Sequence, residues 1–457
     1  MSLPVRYRES LTERLARLIY TVLLALLYPA MPLYLLKRAR KQPEYGGDWA
    51  QRFFGATGLP PAGAARMWVH AVSVGETHAI APLVLAWEKA HPGTEWVFTS
   101  TTPTGRETAR QVFRDLPRKH HVYLPYDLPF AVNRFYRELG AQMGWLVETE
   151  LWPNLIAAAP AHGVLLSLIN ARVSPHTGES LLKWPRLSKP ALGQLAAVVA
   201  QTAEDADWFE RVGRSADAVA GNLKFDVQPR PELLALGQSW RTRWGSAPVL
   251  LAASTREGEE PGLLTAWQTA ITKWTGPAAA KPRLLVVPRH PQRFAEVAGY
   301  FEAAGFWVSR RSQDYPQQPA GDLRPVVWMG DSMGEMPAYY ACADVAFMGG
   351  SWQPLGGQNL IEACACDCPV LLGPHTFNFA KASDDALAVG AAMRFTDVEE
   401  AMRWAFERMN GGEDFAVLRE AARRYAAEHR GAAQRTMEVL MALPARPASA
   451  VQVRALG

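Results

Sequence analysis

The sequence predicts an α/β protein made of two successive doubly wound domains behind an N-terminal membrane anchor. Three observations predict it. Short apolar runs alternate with helical patterns through both halves of the chain, the rhythm of a parallel sheet covered by helices on both faces. That rhythm breaks at Asp226–Leu233, where two prolines sit among polar residues, and then restarts. Ahead of both halves, Leu18–Leu36 carries no charged residue.

The anchor comes first. As a helix, Leu18–Leu36 would be about 28 Å long, close to the hydrocarbon thickness of a bilayer. Pro29 and Pro32 would kink it, so it either spans once or enters one leaflet and leaves on the same side. Arg14 and Arg17 precede the run; Lys37, Arg38, Arg40 and Lys41 follow it. Basic flanks suit lipid phosphates better than a protein interior, and the heavier cluster after the run places the bulk of the chain in the cytoplasm. No small-x-small cleavage site follows, so the segment reads as retained.

In the first half, Met67–Val74 reads as a buried strand and Thr77–Ala90 as a helix. Strands follow at Trp96–Thr101, His121–Leu124, Trp145–Val147, Val164–Ile169 and Ala197–Ala200, with a helix from Gly105. In the second half, Pro248–Ala252, Arg283–Val287, Pro325–Trp328, Val345–Phe347 and Pro369–Leu372 read as strands. The expected organisation is an anchor over 1–45, domains over 46–226 and 227–443, and a frayed Ala/Pro-rich tail over 444–457. Ligands of such sheets sit beyond the carboxyl ends of the strands, so a cleft between facing domains is the expected site.

Composition narrows the function. The 457-residue chain is 49% hydrophobic and 20% charged, normal for a folded protein, and its net charge of +4 is too small to argue for nucleic acid. Four cysteines make no disulfide framework, and the alternation of Cys364, Cys366 and Cys368 matches neither zinc-ligand spacing nor a redox pair. Small buried hydrophobes in a reducing compartment is the plainer reading.

The residues that can carry chemistry stand at strand ends. In H-A-V-S-V-G-E, His70–Glu76, a buried strand runs into Gly75 and Glu76 lands where a helix starts. The helix dipole alone favours a carboxylate there. A carboxylate projecting into a cleft is equally a candidate general base, worth about 10²–10⁴ in rate. E-T-E-L-W-P-N puts Glu148 and Glu150 after another strand, and Lys224 in G-N-L-K-F-D follows the last strand of that half. Two carboxylates and a cation near one edge can divide into a base, its hydrogen-bonding partner and a counter-charge for an anionic donor. In the second half, G-D-S-M-G-E (Gly330–Glu335) offers free backbone N–H groups, and V-P-R-H-P offers Arg289 to a phosphate. G-G-S-W-Q-P-L-G-G-Q-N-L-I-E (Gly349–Glu362) brings backbone close to a ligand, with Asn359 opening a helix and Glu362 available to ribose hydroxyls. No Walker loop is present, no G-x-G-x-x-G follows the first strand of either half, and no D-x-D cluster stands at a strand end.

These segments, in this order and together with T-P-T-G, Y-L-P-Y-D-L-P, N-A-R, S-T-R-E-G-E-E and G-P-H-T-F-N-F, resemble the 3-deoxy-manno-octulosonate (Kdo) transferases of lipopolysaccharide synthesis. The resemblance runs from the anchor to about Phe379. It implies the two-domain GT-B architecture and an inverting transfer of Kdo from CMP-Kdo to the lipid A precursor, lipid IVA, at the cytoplasmic face of the inner membrane, without metal or cofactor. It implies Glu76 as the base, with Glu148 and Lys224 stabilising the transition state. It implies CMP held by Pro288 and Arg289, by Met333, Gly334 and Glu335, and by Asn359, Leu360, Ile361 and Glu362. The family usually has His where this chain has Gln358, and commonly His where it has Arg256. A GT-B transferase or epimerase using a UDP-sugar is the alternative.

Overall fold

The computed structural model describes residues 7–444 except 63–64, 246, 278–280, 320 and 411–414. The expected frayed tail, beyond its first residue Pro444, lies outside the described residues. The chain forms two compact units, Met1–Val227 with Arg430–Gly457, and Gln228–His429.

The first unit is built on seven strands: β1 (Arg66–His70), β2 (Glu95–Ser100), β3 (Lys119–Tyr123), β4 (Met143–Val147), β5 (Leu165–Ala171), β6 (Ala197–Ala200) and β7 (Ala218–Val219). Their order is β3-β2-β1-β4-β5-β6-β7, and every pairing is parallel. All five residues of β1 are buried because both faces of the sheet are covered. Trp68 packs with Val97 and Phe135 on one face, while Met67 and Val69 pack with Ile80 and Trp96 on the other.

The second unit also has seven strands, β8 (Val249–Thr255), β9 (Arg283–Pro288), β10 (Trp307–Arg310), β11 (Val326–Met329), β12 (Val345–Met348), β13 (Val370–Leu372) and β14 (Ala392–Arg394). These are also parallel, ordered β10-β11-β9-β8-β12-β13-β14. Each sheet reverses its winding once, between β1 and β4 in the first and between β8 and β12 in the second. Such a reversal leaves a crevice at the carboxyl ends of the two strands beside it.

Three strands, β7, β10 and β14, have no counterpart in the sequence reading. Each is an edge strand of two to four residues with half-exposed positions, so no apolar run marks it. The end of the second domain also differs from the expected 227–443. The helix Ala432–Met441 belongs to the first unit, where Ala432, Ala433, Met437 and Leu440 join the core beside Val69 and Val199. Asp226 fixes its start, accepting from the backbone N–H groups of Gly431 (2.6 Å) and Ala433 (2.5 Å). The crossing falls between His429 and Arg430, just before Gly431, with no proline to announce it.

The expected anchor is not a separate body either. Helix Leu11–Leu27, a 3₁₀ turn at Tyr28–Ala30 and helix Met31–Ala39 follow one another and pack within the first unit. Pro29 and Pro32 each fall in the first turn of a new segment, where a missing N–H costs little.

Candidate active site

In the first unit, β1 leaves the sheet at His70 and the chain turns into the helix Val74–Ala90. Ser73 caps that helix, its Oγ accepting from the Glu76 N–H at 3.1 Å. The Glu76 side chain folds back over the same turn, and its Oε2 accepts from the Val72 N–H at 2.8 Å. The carboxylate is buried. Burial raises its pKa, the charges of Glu148 and Glu150 raise it further, and the bonds from Ser73 and Val72 pull it down. Glu76 is therefore both a helix-start carboxylate and a buried base candidate.

The T-P-T-G turn supports this loop from beneath. Thr102 donates to the Val72 carbonyl (3.3 Å) and accepts from Gly105 N–H (3.1 Å). A Cβ on Gly105 would lie 2.5 Å from the Val72 carbonyl oxygen, so a side chain there would displace the turn that holds Glu76.

Glu148 is the first residue after β4, across the reversal from β1, and stands in the left-handed region at φ 61°. Its backbone N–H remains bonded to the Ile169 carbonyl at 2.9 Å, so the strain turns the side chain without breaking the sheet edge. Lys224 Nζ donates to Glu148 Oε1 at 3.3 Å. Lys224 lies in the turn Leu223–Asp226, which Asn222 and Asn170 hold by accepting from the N–H groups of Lys224 and Leu223, each at 3.0 Å. Glu150 accepts from Trp152 Nε1 at 2.8 Å and lies 3.8 Å from Nε2 of the buried His70. The geometry thus brings Glu148 and Lys224 together as an ion pair, with Glu148 and Glu150 near enough to act on Glu76.

In the second unit the site is made mostly of main chain. Glu259, buried below β8, accepts from the backbone N–H groups of Arg256 (2.8 Å), Gly350 (2.9 Å) and Trp352 (3.2 Å). It ties the end of β8 to the glycine-rich loop after β12, across this sheet's reversal. A Cβ on Gly349 would lie 2.2 Å from the Ser254 carbonyl oxygen, which is why the loop begins with glycine. Asn359 caps the helix Leu360–Ala365, accepting from the Ile361 N–H at 3.2 Å. The Leu360 and Ile361 side chains are buried in the core, so only their backbone is available to a ligand. Glu362, one turn on, has its pKa pushed up to about 7 by burial, while the positive charge of Arg289 draws it down.

Arg289 is exposed at the end of β9, with its backbone N–H on the Thr255 carbonyl at 3.0 Å; Pro288 before it is buried. His290 beside it is held below the usual imidazole range by burial and by the charges of Arg256 and Arg289, which places those cations together. Gln358 sits over the Gly350 bend, its Nε2 3.2 Å from where a Cβ would be. After β11, Met333 and Gly334 form an exposed turn, and Glu335 is gripped by Arg311 through two hydrogen bonds of 3.0 and 2.9 Å. The Glu335 carboxylate is thus occupied by the turn after β10. Among the described residues no His, Cys, Asp and Glu group could hold a metal ion, and the four cysteines are free thiols.

Ser73, Asn170 and Glu259 were assigned no role from sequence. Each holds a backbone N–H, and Ser73, Asn170 and Glu259 lie inside H-A-V-S-V-G-E, N-A-R and S-T-R-E-G-E-E.

Residues 47–227 match the family model described as 3-Deoxy-D-manno-octulosonic-acid transferase (kdotransferase). The chain is 42% identical over 438 residues to the 3-deoxy-D-manno-octulosonic acid transferase of Bordetella pertussis, covering 93% of this chain and 99% of that protein. It is 33% identical over 430 residues to the protein of that name from Haemophilus influenzae, covering 93% and 98%. Among solved structures, the UDP-GlcNAc 2-epimerase from Neisseria meningitidis bound to UDP-GlcNAc is similar with a TM-score of 0.53. That likeness covers 83% of this chain and all of the other at 13% identity, and shows the fold alone.

Proposed function

The chain belongs to the 3-deoxy-D-manno-octulosonic acid transferase family, glycosyltransferases that transfer Kdo in lipopolysaccharide biosynthesis, and from that premise we propose how its residues divide the reaction. The donor is CMP-Kdo and the acceptor the lipid A precursor, met at the cytoplasmic face of the inner membrane. Glu76 takes the proton from an acceptor hydroxyl. The oxygen attacks the anomeric carbon of Kdo from the face opposite the phosphate, the bond from that carbon to the phosphate oxygen breaks, and CMP leaves carrying the electron pair. The configuration inverts in one displacement.

The observation that carries this reading is the buried Glu76 carboxylate at the reversal of the first sheet, with its pKa raised by burial and by two neighbouring carboxylates. A base whose pKa has moved toward the working pH is better matched to a hydroxyl proton. Lys224, held by Glu148, supplies a positive charge for the donor's carboxylate or phosphate as charge builds in the transition state. CMP is held by Arg289 at the end of β9, by the Met333–Glu335 turn and by the Asn359–Glu362 helix start, with Arg256 adding a permanent cation. No step in this scheme requires a metal.

The direct test is incubation of the purified protein with CMP-Kdo and lipid A precursor, followed by mass spectrometry of the lipid. Kdo added to the lipid supports the proposal, and an unmodified lipid rejects the acceptor. Competition between CMP and UDP for binding supplies a second check, because preference for UDP would reject the donor.

A further inference from the structure

The N-terminal apolar segment runs over 29 residues, Leu11–Ala39, long and apolar enough to cross a membrane. Its packing indicates a different arrangement. Contacts with the rest of the first unit recur along its whole length. Before the helix, the Tyr7 ring packs against Gly193, where a Cβ would lie 2.5 Å away. Arg17 pairs with Glu9 at 2.7 Å, and Glu9 in turn accepts from Gln194 at 3.3 Å. Thr21 Oγ1 lies 3.0 Å from Asn154 Nδ2. The carboxylate of buried Asp127 accepts from the N–H groups of Asn154 (2.9 Å) and Leu155 (2.7 Å) and also from the Tyr20 phenol. Tyr28 donates to the Phe53 carbonyl at 2.5 Å with its ring edge-on to Phe53 and Tyr126, and Leu35 is buried beside Tyr45 and Phe53.

The docked stripe is therefore polar and aromatic, while the outward stripe is apolar. Leu11, Leu15, Leu18, Val22, Leu26 and Leu33 are all exposed. A spanning helix would carry Arg17, Tyr20 and Thr21 into hydrocarbon and take the Tyr20 phenol from Asp127 and the Thr21 hydroxyl from Asn154, leaving polar groups short of a partner in an apolar medium. An amphipathic helix lying in the interface needs none of this. Exposed Arg14, Lys37, Arg38, Arg40 and Lys41 stand around the outward stripe with the charge that anionic headgroups require.

We propose that Leu11–Ala39 lies in the plane of one leaflet, with its inner stripe docked on the first unit and its outer stripe sunk into the acyl–headgroup boundary of an anionic membrane. Both ends of the segment then face the side that holds the catalytic units. This rests on the proposed transfer to a membrane lipid and on the anchor expected from the sequence, and adds the geometry of attachment. The docking residues also reach the helix Pro153–Ala158, which follows the loop of Glu148 and Glu150, so one scaffold sets both the membrane plane and the acidic pair.

The test is side-specific labelling of the full chain in its own membrane. Arg8→Cys and Glu44→Cys, exposed positions on either side of the segment, are treated with a membrane-impermeant maleimide in inside-out vesicles and in spheroplasts. Wild type, with three buried thiols and the half-exposed Cys366, gives the baseline. Both positions labelled in inside-out vesicles and protected in spheroplasts is the expected result. Arg8→Cys labelled only in spheroplasts would overturn the in-plane geometry while leaving membrane attachment intact. Wild type that fails to sediment with membranes would reject the attachment itself. A fluorophore on Leu23→Cys gives a second readout: quenching should be stronger by nitroxide near the headgroup than at the chain end, and the reverse order contradicts the proposal.

Discussion

The carboxyl edge of the first sheet presents side chains, and that of the second presents mostly backbone. At the first edge the proposed reacting groups are Glu76, Glu148 and Lys224, buried or paired with one another over gaps of up to 76 positions in the chain. At the second, the proposed holding falls to Arg289, glycines and helix-start N–H groups, and the buried carboxylate of Glu259 fixes the loop. Both units are parallel sheets of seven strands with one reversal of winding, so the difference lies in what each strand end was given to do. Moving a proton needs an ionisable group with a tuned pKa, whereas gripping a phosphate needs preorganised donors. Substitutions should accordingly fail in different ways at the two edges.

The largest effect belongs to Glu76→Gln. Gln still accepts from the Val72 N–H and caps the same turn, so thermal stability and CMP affinity should stay near wild type. The turnover should fall by about 10²–10⁴, the usual worth of a positioned base. Near-normal turnover would break the contrast at its first edge. Next is Gly349→Ala, which puts a Cβ 2.2 Å from a backbone oxygen that cannot yield without moving β8. Overpacking of this kind costs about 1–3 kcal/mol. The melting temperature and CMP affinity should both drop, and calorimetry that found neither would show that the loop is not held as described.

Smaller effects sharpen the comparison. Glu76 works as a base only when ionised, so the acid limb of kcat/KM should lie above the ordinary carboxylate range. Glu150→Gln removes one of the negative charges that raise the Glu76 pKa, so the limb should move to lower pH. Movement the other way would mean that Glu150 does not act on Glu76. Glu362 tests the second edge. Its pKa of about 7 in the folded chain lies above the unfolded value of 4.5, so its contribution is fully present below about 4.5 and is lost as pH rises through about 7. Glu362→Gln should therefore lessen the fall in melting temperature between pH 5 and 8, and an unchanged slope would contradict the assignment.

Much of this was legible in the sequence, for physical reasons. Strands buried on both faces, such as β1 and β8, show as apolar runs, and residues immediately after them mark the reactive edge, which is how Glu76, Glu148 and Arg289 come to attention. Other features leave little trace. Edge strands such as β14 are too short and too exposed to form a run. The return of Ala432–Met441 to the first unit depends on which core fits its apolar stripe. Glu257, Glu259 and Glu260 stand within four positions, and the sequence does not say which one binds the glycine loop. The sequence reading also included Leu360 and Ile361 among the donor contacts, yet their side chains serve the core and leave only backbone for a ligand.

The division of labour is tested most directly by measuring CMP affinity and the single-turnover rate of Kdo transfer at saturating donor on both Glu76→Gln and Arg289→Ala. The account predicts a collapsed rate with unchanged CMP affinity for the first. For the second it predicts CMP affinity weaker by about 10–100-fold, the worth of a charged hydrogen bond, with a rate within about tenfold of wild type. Loss of CMP binding in Glu76→Gln, or a collapsed rate with intact CMP binding in Arg289→Ala, would contradict it.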